Sequence, residues 1–198
     1  MDRVAVFIDG SNFYYALKAA FSKTALKFDQ LALALTNRLP DRRLLRVYYY
    51  NAAYDQGRDP AEYKKQQRFF SALRRTPYVT LCLGRLERRA IDWSGLQSDE
   101  RNKLEQVLGR SLPERTYVEK GVDVQLSVDM VKLAVANTYD VAVIVSGDGD
   151  FAAAIEFVKQ QGKHAELGRV TGAPCERLRD VCDVEVPIDA AMLGPCWV

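Results

Sequence analysis

Two short, unbroken apolar runs stand out along the chain: Val4-Ala5-Val6-Phe7-Ile8 and Val141-Ala142-Val143-Ile144-Val145. A strand covered on both faces reads this way, because neither face tolerates polar side chains, and parallel sheets are built from such strands. Each run closes in a small polar turn, Asp9-Gly10-Ser11-Asn12 and Ser146-Gly147-Asp148-Gly149-Asp150. Three weaker runs, Leu44 to Tyr50, Val79 to Leu83 and His164 to Leu167, predict further strands, with Val184-Glu185-Val186 as a possible edge strand. Helical patterns fill the gaps. One covers Phe13 to Phe21, capped by Ser11 or Asn12; a second runs from Phe28 to Leu39 and stops at Pro40. A third starts at Asp59-Pro60, with proline at the first helical position, and reaches Arg75. Others span Val122 to Ala136, Phe151 to Gln161 (ending at Gly162) and Cys175 to Val181. The segment from Arg85 to Glu119 breaks the rhythm, being polar and highly charged, with one amphipathic helix expected over Ser98 to Leu108.

Strands alternating with helices imply right-handed crossovers and a doubly wound sheet. The expectation is an α/β, three-layer Rossmann-like fold with strand order 3-2-1-4-5, the two most apolar strands lying side by side at its centre. A single domain over 1–190 would carry residues 85–119 as a charged insertion after the third strand, followed by a C-terminal tail, 191–198. There is no internal repeat, low-complexity segment or long linker.

Composition narrows the function more by exclusion than by direction. The 198 residues carry a net charge of only +2, so a nucleic-acid partner would have to meet locally clustered basic groups. Four cysteines form no C-x-x-C pair and His164 is the only histidine, which argues against structural zinc and fits a reducing compartment. Only five apolar residues precede Asp9, unlike a signal peptide, and no apolar run approaches the ~20 residues that span a bilayer. A soluble cytoplasmic protein with no membrane partner is expected.

In a doubly wound sheet, ligands bind beyond the carboxyl ends of the strands where the winding reverses. Here that point lies between the first and fourth strands, which puts Asp9, Asn12, Ser146, Asp148 and Asp150 together. The helix starting near Val122 enters from the same edge and brings Asp123. Each acid has a plainer reading: a turn for Asp9, a helix-dipole partner for Asp123, a turn and cap for Asp148 and Asp150. Their convergence at one switch point favours a shared role. Crowded carboxylates raise one another's pKa values, and a hard divalent cation, Mg²⁺ or Mn²⁺, relieves that repulsion. The chain lacks a G-x-x-x-x-G-K-[ST] loop and a G-x-G-x-x-G turn, and a catalytic triad would have only His164, in a strand, as its imidazole.

Three segments in order, Val6-Phe7-Ile8-Asp9-Gly10-Ser11-Asn12, Lys120-Gly121-Val122-Asp123-Val124 and Val145-Ser146-Gly147-Asp148-Gly149-Asp150-Phe151, resemble the NYN domain family of PIN-like nucleases, in its LabA-like bacterial branch. The resemblance covers about Val4 to Val186. It implies a PIN-like fold and metal-dependent cleavage of RNA phosphodiester bonds, an endoribonuclease activity in which Asp9, Asp123, Asp148 and Asp150 bind Mg²⁺ or Mn²⁺ and Asn12 and Ser146 support them. Asp129 also sits at a family-like position. Six residues from Asp123 is about 240° around a helix, so the two cannot share a face and Asp129 ranks as a weaker, structural candidate.

RNA, single-stranded or structured, is the expected partner. The Asp59–Arg75 helix gathers Lys64, Lys65, Arg68 and Arg75, with Arg58 and Arg74 nearby, against only Asp59 and Glu62. That face either binds phosphates or is simply solvated. Tyr14 and Tyr15 lie next to the acidic turn and either stack on bases or pack. Two other functions stay open: a catalytically weak regulatory module for RNA or protein binding, and a hydrolase of small phosphoesters or nucleotides. The oligomeric state is open too, a homodimer included.

Overall fold

A computed structural model describes residues 1–57 and 59–198 of the chain; the basic group expected at Arg58 lies outside the described residues. The elements run β1 (Asp2–Asp9), α1 (Gly10–Phe21), α2 (Phe28–Thr36), β2 (Arg42–Ala53), α3 (Pro60–Arg75), β3 (Val79–Ala90), α4 (Ser98–Leu108), β4 (Arg115–Lys120), α5 (Val122–Val135), β5 (Val141–Val145), α6 (Ala152–Gln160), β6 (His164–Val170), α7 (Glu176–Val181), β7 (Val184–Ile188) and α8 (Ala190–Leu193). The seven strands form one sheet in the order β4-β3-β2-β1-β5-β6-β7, parallel except for β4.

Alternation along β1 shows how the three layers arise. Val4, Val6 and Ile8 face one side and pack with Phe13 and Leu17 of α1, Leu31 and Leu35 of α2, and Phe70 and Leu73 of α3. Ala5 and Phe7 face the other side, against Leu126 and Met130 of α5, Ile155 of α6 and Leu178 of α7. Every residue from Val4 to Ile8 and from Val141 to Ile144 is fully buried, as unbroken apolar strands at a sheet centre require. Among the described residues no helix is long and apolar enough to cross a membrane.

The expected order 3-2-1-4-5 covers only the middle of this sheet, and the expected insertion is not separate from it. β3 continues beyond Leu83 to Ala90 and pairs with the antiparallel return strand β4, so residues 85–90 and 115–120 form a ribbon at one edge. The expected edge strand near Val184 is β7, at the other edge. The α2 helix stops at Thr36 rather than Leu39, and Leu39 is exposed. The terminal residues fold back on the body: Leu193 and Cys196 are buried, and Leu26 bridges to Trp197.

The ribbon sets where α5 begins. β4 ends opposite Arg85, so α5 starts at the carboxyl edge of the sheet, beside Gly84. A Cβ at Gly84 would lie 2.6 Å from Val122 Cγ2 and 2.7 Å from the Lys120 carbonyl oxygen. Gly84→Ala is therefore expected to lower stability by about 1–3 kcal/mol and to displace the first turn of α5. Urea unfolding measures the first effect, and shifted amide resonances over residues 120–126 with an otherwise native circular dichroism spectrum measure the second.

Candidate active site

The winding reverses between β1 and β5, which pair from Val4–Val141 to Ile8–Val145. Both strands end in turns at that point, and the turns are locked together by hydrogen bonds. The buried Asp9 caps α1 by accepting from the Asn12 N–H at 3.1 Å, while its second oxygen accepts from Ser146 Oγ–H at 3.0 Å. Ser146 Oγ in turn accepts from the Asp148 N–H at 3.1 Å, and Asp148 accepts from the Asp150 N–H at 2.9 Å. Gly147 N–H donates to Asn12 Oδ1 at 2.8 Å, closing the two turns into one unit. The capping and turn roles are thus real, and the same hydrogen bonds hold Asp9, Asp148 and Asp150 at one point of the sheet edge.

Asp123 completes the group from the first turn of α5, after Gly121 in the left-handed region at φ 85°. The site is electrically coupled. Burial pushes the Asp9 carboxyl up to about 6, opposed by its hydrogen bonds from Asn12 and Ser146 and reinforced by the charges of Asp123 and Glu119. Asp123 is also raised, first by desolvation and then by Asp148 and Asp150. Among the described residues, none of these acids forms an ion pair with a lysine, arginine or histidine. The donor set is entirely hard carboxylate oxygen, which fits Mg²⁺ or Mn²⁺ by chemistry. Among the described residues no three Asp, Glu, His or Cys side chains stand close enough together to hold a metal ion between them.

Two residues at this edge escaped the sequence reading. Glu119, near the end of β4, accepts from Ser11 Oγ–H at 3.0 Å, and burial together with Asp123 raises its pKa. Its only signal was its place four residues before Asp123, and the segment read as a charged insertion. Arg177 of α7 runs its aliphatic stem past Gly149, where a Cβ would lie 3.0 Å from its Cδ. Arg169 and Arg179, by contrast, are both held by Glu185.

The remaining candidates are scattered. Asp129 is engaged elsewhere, accepting from the Tyr50 hydroxyl at 3.1 Å. Tyr14 and Tyr15 are exposed on α1, edge to face at 5.4 Å. Lys65 pairs with Glu62 at 2.5 Å, and that carboxylate raises the lysine's pKa. Lys64, Arg68 and Arg75 are exposed or half-exposed along α3, a helix roughly 24 Å long that begins near the carboxyl edge of the sheet. Arg75, in its last turn, is carried to the opposite edge. His164 is exposed and opens β6 opposite Val141, also at the edge away from the acids.

Fold and site together define a parallel α/β domain with an acid-lined switch point. The NYN domain family matches residues 3–189, and the chain belongs to that family of PIN-like nucleases. It is 27% identical over 183 residues to the Low amplitude and bright protein LabA of Synechococcus elongatus, covering 91% of this chain and 81% of the relative. The fold is shared with a crystal structure of a protein of unknown function from Vibrio parahaemolyticus, at a TM-score of 0.61 and 21% identity over 95% of this chain and 93% of that one.

Proposed function

We propose that the chain is a metal-dependent endoribonuclease, carried by one domain over residues 1–190 and acting on RNA in the cytoplasm. The observation that supports this most is the coupled, uncompensated carboxylate group at the β1/β5 switch point, with Asp9 raised to about 6 by burial and by its acidic neighbours. Asp9, Asp123, Asp148 and Asp150 would hold Mg²⁺ or Mn²⁺. A bound divalent ion supplies an acidified water and neutralises charge on the phosphoryl oxygens. The residues do the positioning. Ser146 fixes the separation of Asp9 and Asp148 through its two hydrogen bonds, and Asn12 ties the turns together. The N-termini of α1 and α5 favour negative charge at the same edge. Tyr14, Tyr15, Lys64, Lys65 and Arg68 are proposed to contact the RNA strand, with Arg177 as a further cation at the rim. Arg75 is too far along α3 to contribute.

Hydrolysis needs no protein nucleophile in this scheme, in keeping with the remote His164. The deciding experiment is cleavage of labelled single-stranded and structured RNA with Mn²⁺, with and without EDTA. Metal-dependent cutting that Asp148→Asn abolishes supports the reading, and cutting that survives that change overturns it. Asp129→Asn is the control. It keeps an acceptor for the Tyr50 hydroxyl, so cleavage is expected within about threefold of wild type and stability within ~1 kcal/mol. A second reading, a weakly catalytic RNA-binding or protein-interaction module, is favoured by the lack of a finished carboxylate cage among the described residues. Binding without cutting would select it, whereas turnover of nucleotides but not RNA would mark a small-phosphoester hydrolase.

A further inference from the structure

A groove of about 550 Å³ runs between α1 and the connection from β6 to α7. Tyr15, Ala16 and Ala19 form one wall, and Thr171, Ala173 and Pro174 form the other. Its inner end is Asn12 and Gly147, the pair joined by the 2.8 Å hydrogen bond from the Gly147 N–H. The same two residues border the acidic crevice, since Asn12 donates to Asp9 and Gly147 precedes Asp148. The groove therefore opens directly from the candidate site.

Its lining selects the occupant. Among the described residues no charged side chain lines it, and Arg169, in the cleft that adjoins it at Asn12, Ala16, Gly147 and Ala173, is already held by Glu185, so a phosphate would find no free cation there. It offers alanine methyls, a proline and a tyrosine ring that is 64% exposed and braced edge-on by Tyr14. A flat, uncharged heteroaromatic ring suits such walls, and the volume lies in the range of small-ligand sites.

We propose that this groove is a nucleobase subsite, which receives the base of one unpaired nucleotide while the neighbouring backbone crosses the acidic crevice. The proposal rests on the ribonuclease reading and adds a base-binding position beside the acids, one that a duplex could not fill because it keeps its bases stacked inside. The wall from Thr171 to Pro174 becomes part of substrate binding, and the small residues of α1 leave the space that a larger side chain would fill.

The test uses the full chain carrying Asp148→Asn, titrated in magnesium buffer with a single-stranded RNA pentamer containing 2-aminopurine. Stacking on Tyr15 quenches the probe. Quenching is expected, with affinity falling about 5- to 150-fold in Tyr15→Ala and in the groove-filling Ala19→Phe. In the otherwise wild-type chain, Tyr15→Ala and Ala19→Phe are expected to raise KM by a similar factor and to leave kcat within about threefold, a split that displaced carboxylates would not give. Unchanged quenching and affinity in both variants would overturn the proposal, as would equal quenching by a duplex of the same sequence. The two readings fail separately. Metal-dependent cutting without quenching removes the groove and keeps the nuclease; quenching lost in Tyr15→Ala, without cutting, keeps the groove and removes the nuclease.

Discussion

Asp9→Asn is expected to abolish RNA cleavage while making the metal-free protein more stable at pH 8. The carboxyl is buried, and its pKa is raised from 3.8 to about 6 in the folded chain, chiefly by desolvation. An acid raised by folding contributes full stability below its unfolded pKa and loses it as pH climbs through the folded value. Metal-free wild type should therefore weaken between about pH 4 and pH 7, by up to roughly 3 kcal/mol from this group. Asparagine keeps an acceptor for the Asn12 N–H, and Ser146 can turn its hydroxyl to accept from the new amide, so the caps survive without the charge. The variant should show a shallower decline over that range, leaving only what the raised Asp123 and Glu119 contribute. Wild type should regain its lost stability on adding Mn²⁺, and the variant should gain much less. Urea unfolding at pH 5 and pH 8, with and without Mn²⁺, measures all four quantities. For cleavage, loss of a buried ligand should cost about 10³-fold or more. A variant that is less stable than wild type at pH 8 would contradict the assigned burial and coupling.

Gly147→Ala should be the most damaging methyl added at any of the glycines, since its contact is the shortest. A Cβ there would lie 2.4 Å from the Pro174 carbonyl oxygen, a main-chain atom of the β6–α7 connection, and 3.5 Å from Asn12 Oδ1. Neither turn can yield cheaply, because Gly147 N–H is bonded to Asn12 and Ser146 is bonded to Asp9. A cost at or above the ~3 kcal/mol end of overpacking effects is expected, together with a loss of cleavage greater than the stability loss explains. Thermal unfolding and single-turnover cleavage below the transition separate the two. A Gly147→Ala protein with wild-type stability and activity would show that the two turns are not clamped together.

How much of this could be read from the sequence follows from what each segment buries. β1 and β5 were legible because burial on both faces leaves unbroken apolar runs, and the polar turns after them marked Asp9, Asp148 and Asp150. Asp123 was placed at the right edge by topology, although the device that puts it there, the return strand β4, was not seen. The second half of β3 and β4 carry Arg85, Glu87, Arg88, Arg89, Arg115, Glu119 and Lys120 on a mostly exposed ribbon, so no apolar period announces a strand. Glu119 was lost with it. The C-terminal tail carried no periodic signal either, since its docking rests on single contacts such as the Trp197 ring against Phe21 at 5.9 Å. Arg75 was grouped with Lys64 and Lys65 by sequence proximity, but about three turns of helix, ~15 Å, separate them along α3.

The most direct test of the central claim is cleavage of a labelled single-stranded RNA by wild type and Asp148→Asn, each with Mn²⁺ and with EDTA. The account predicts cutting by wild type in Mn²⁺ alone, with none above background in the other three reactions. Cutting by Asp148→Asn at the wild-type rate, or wild-type cutting that persists in EDTA, would contradict it.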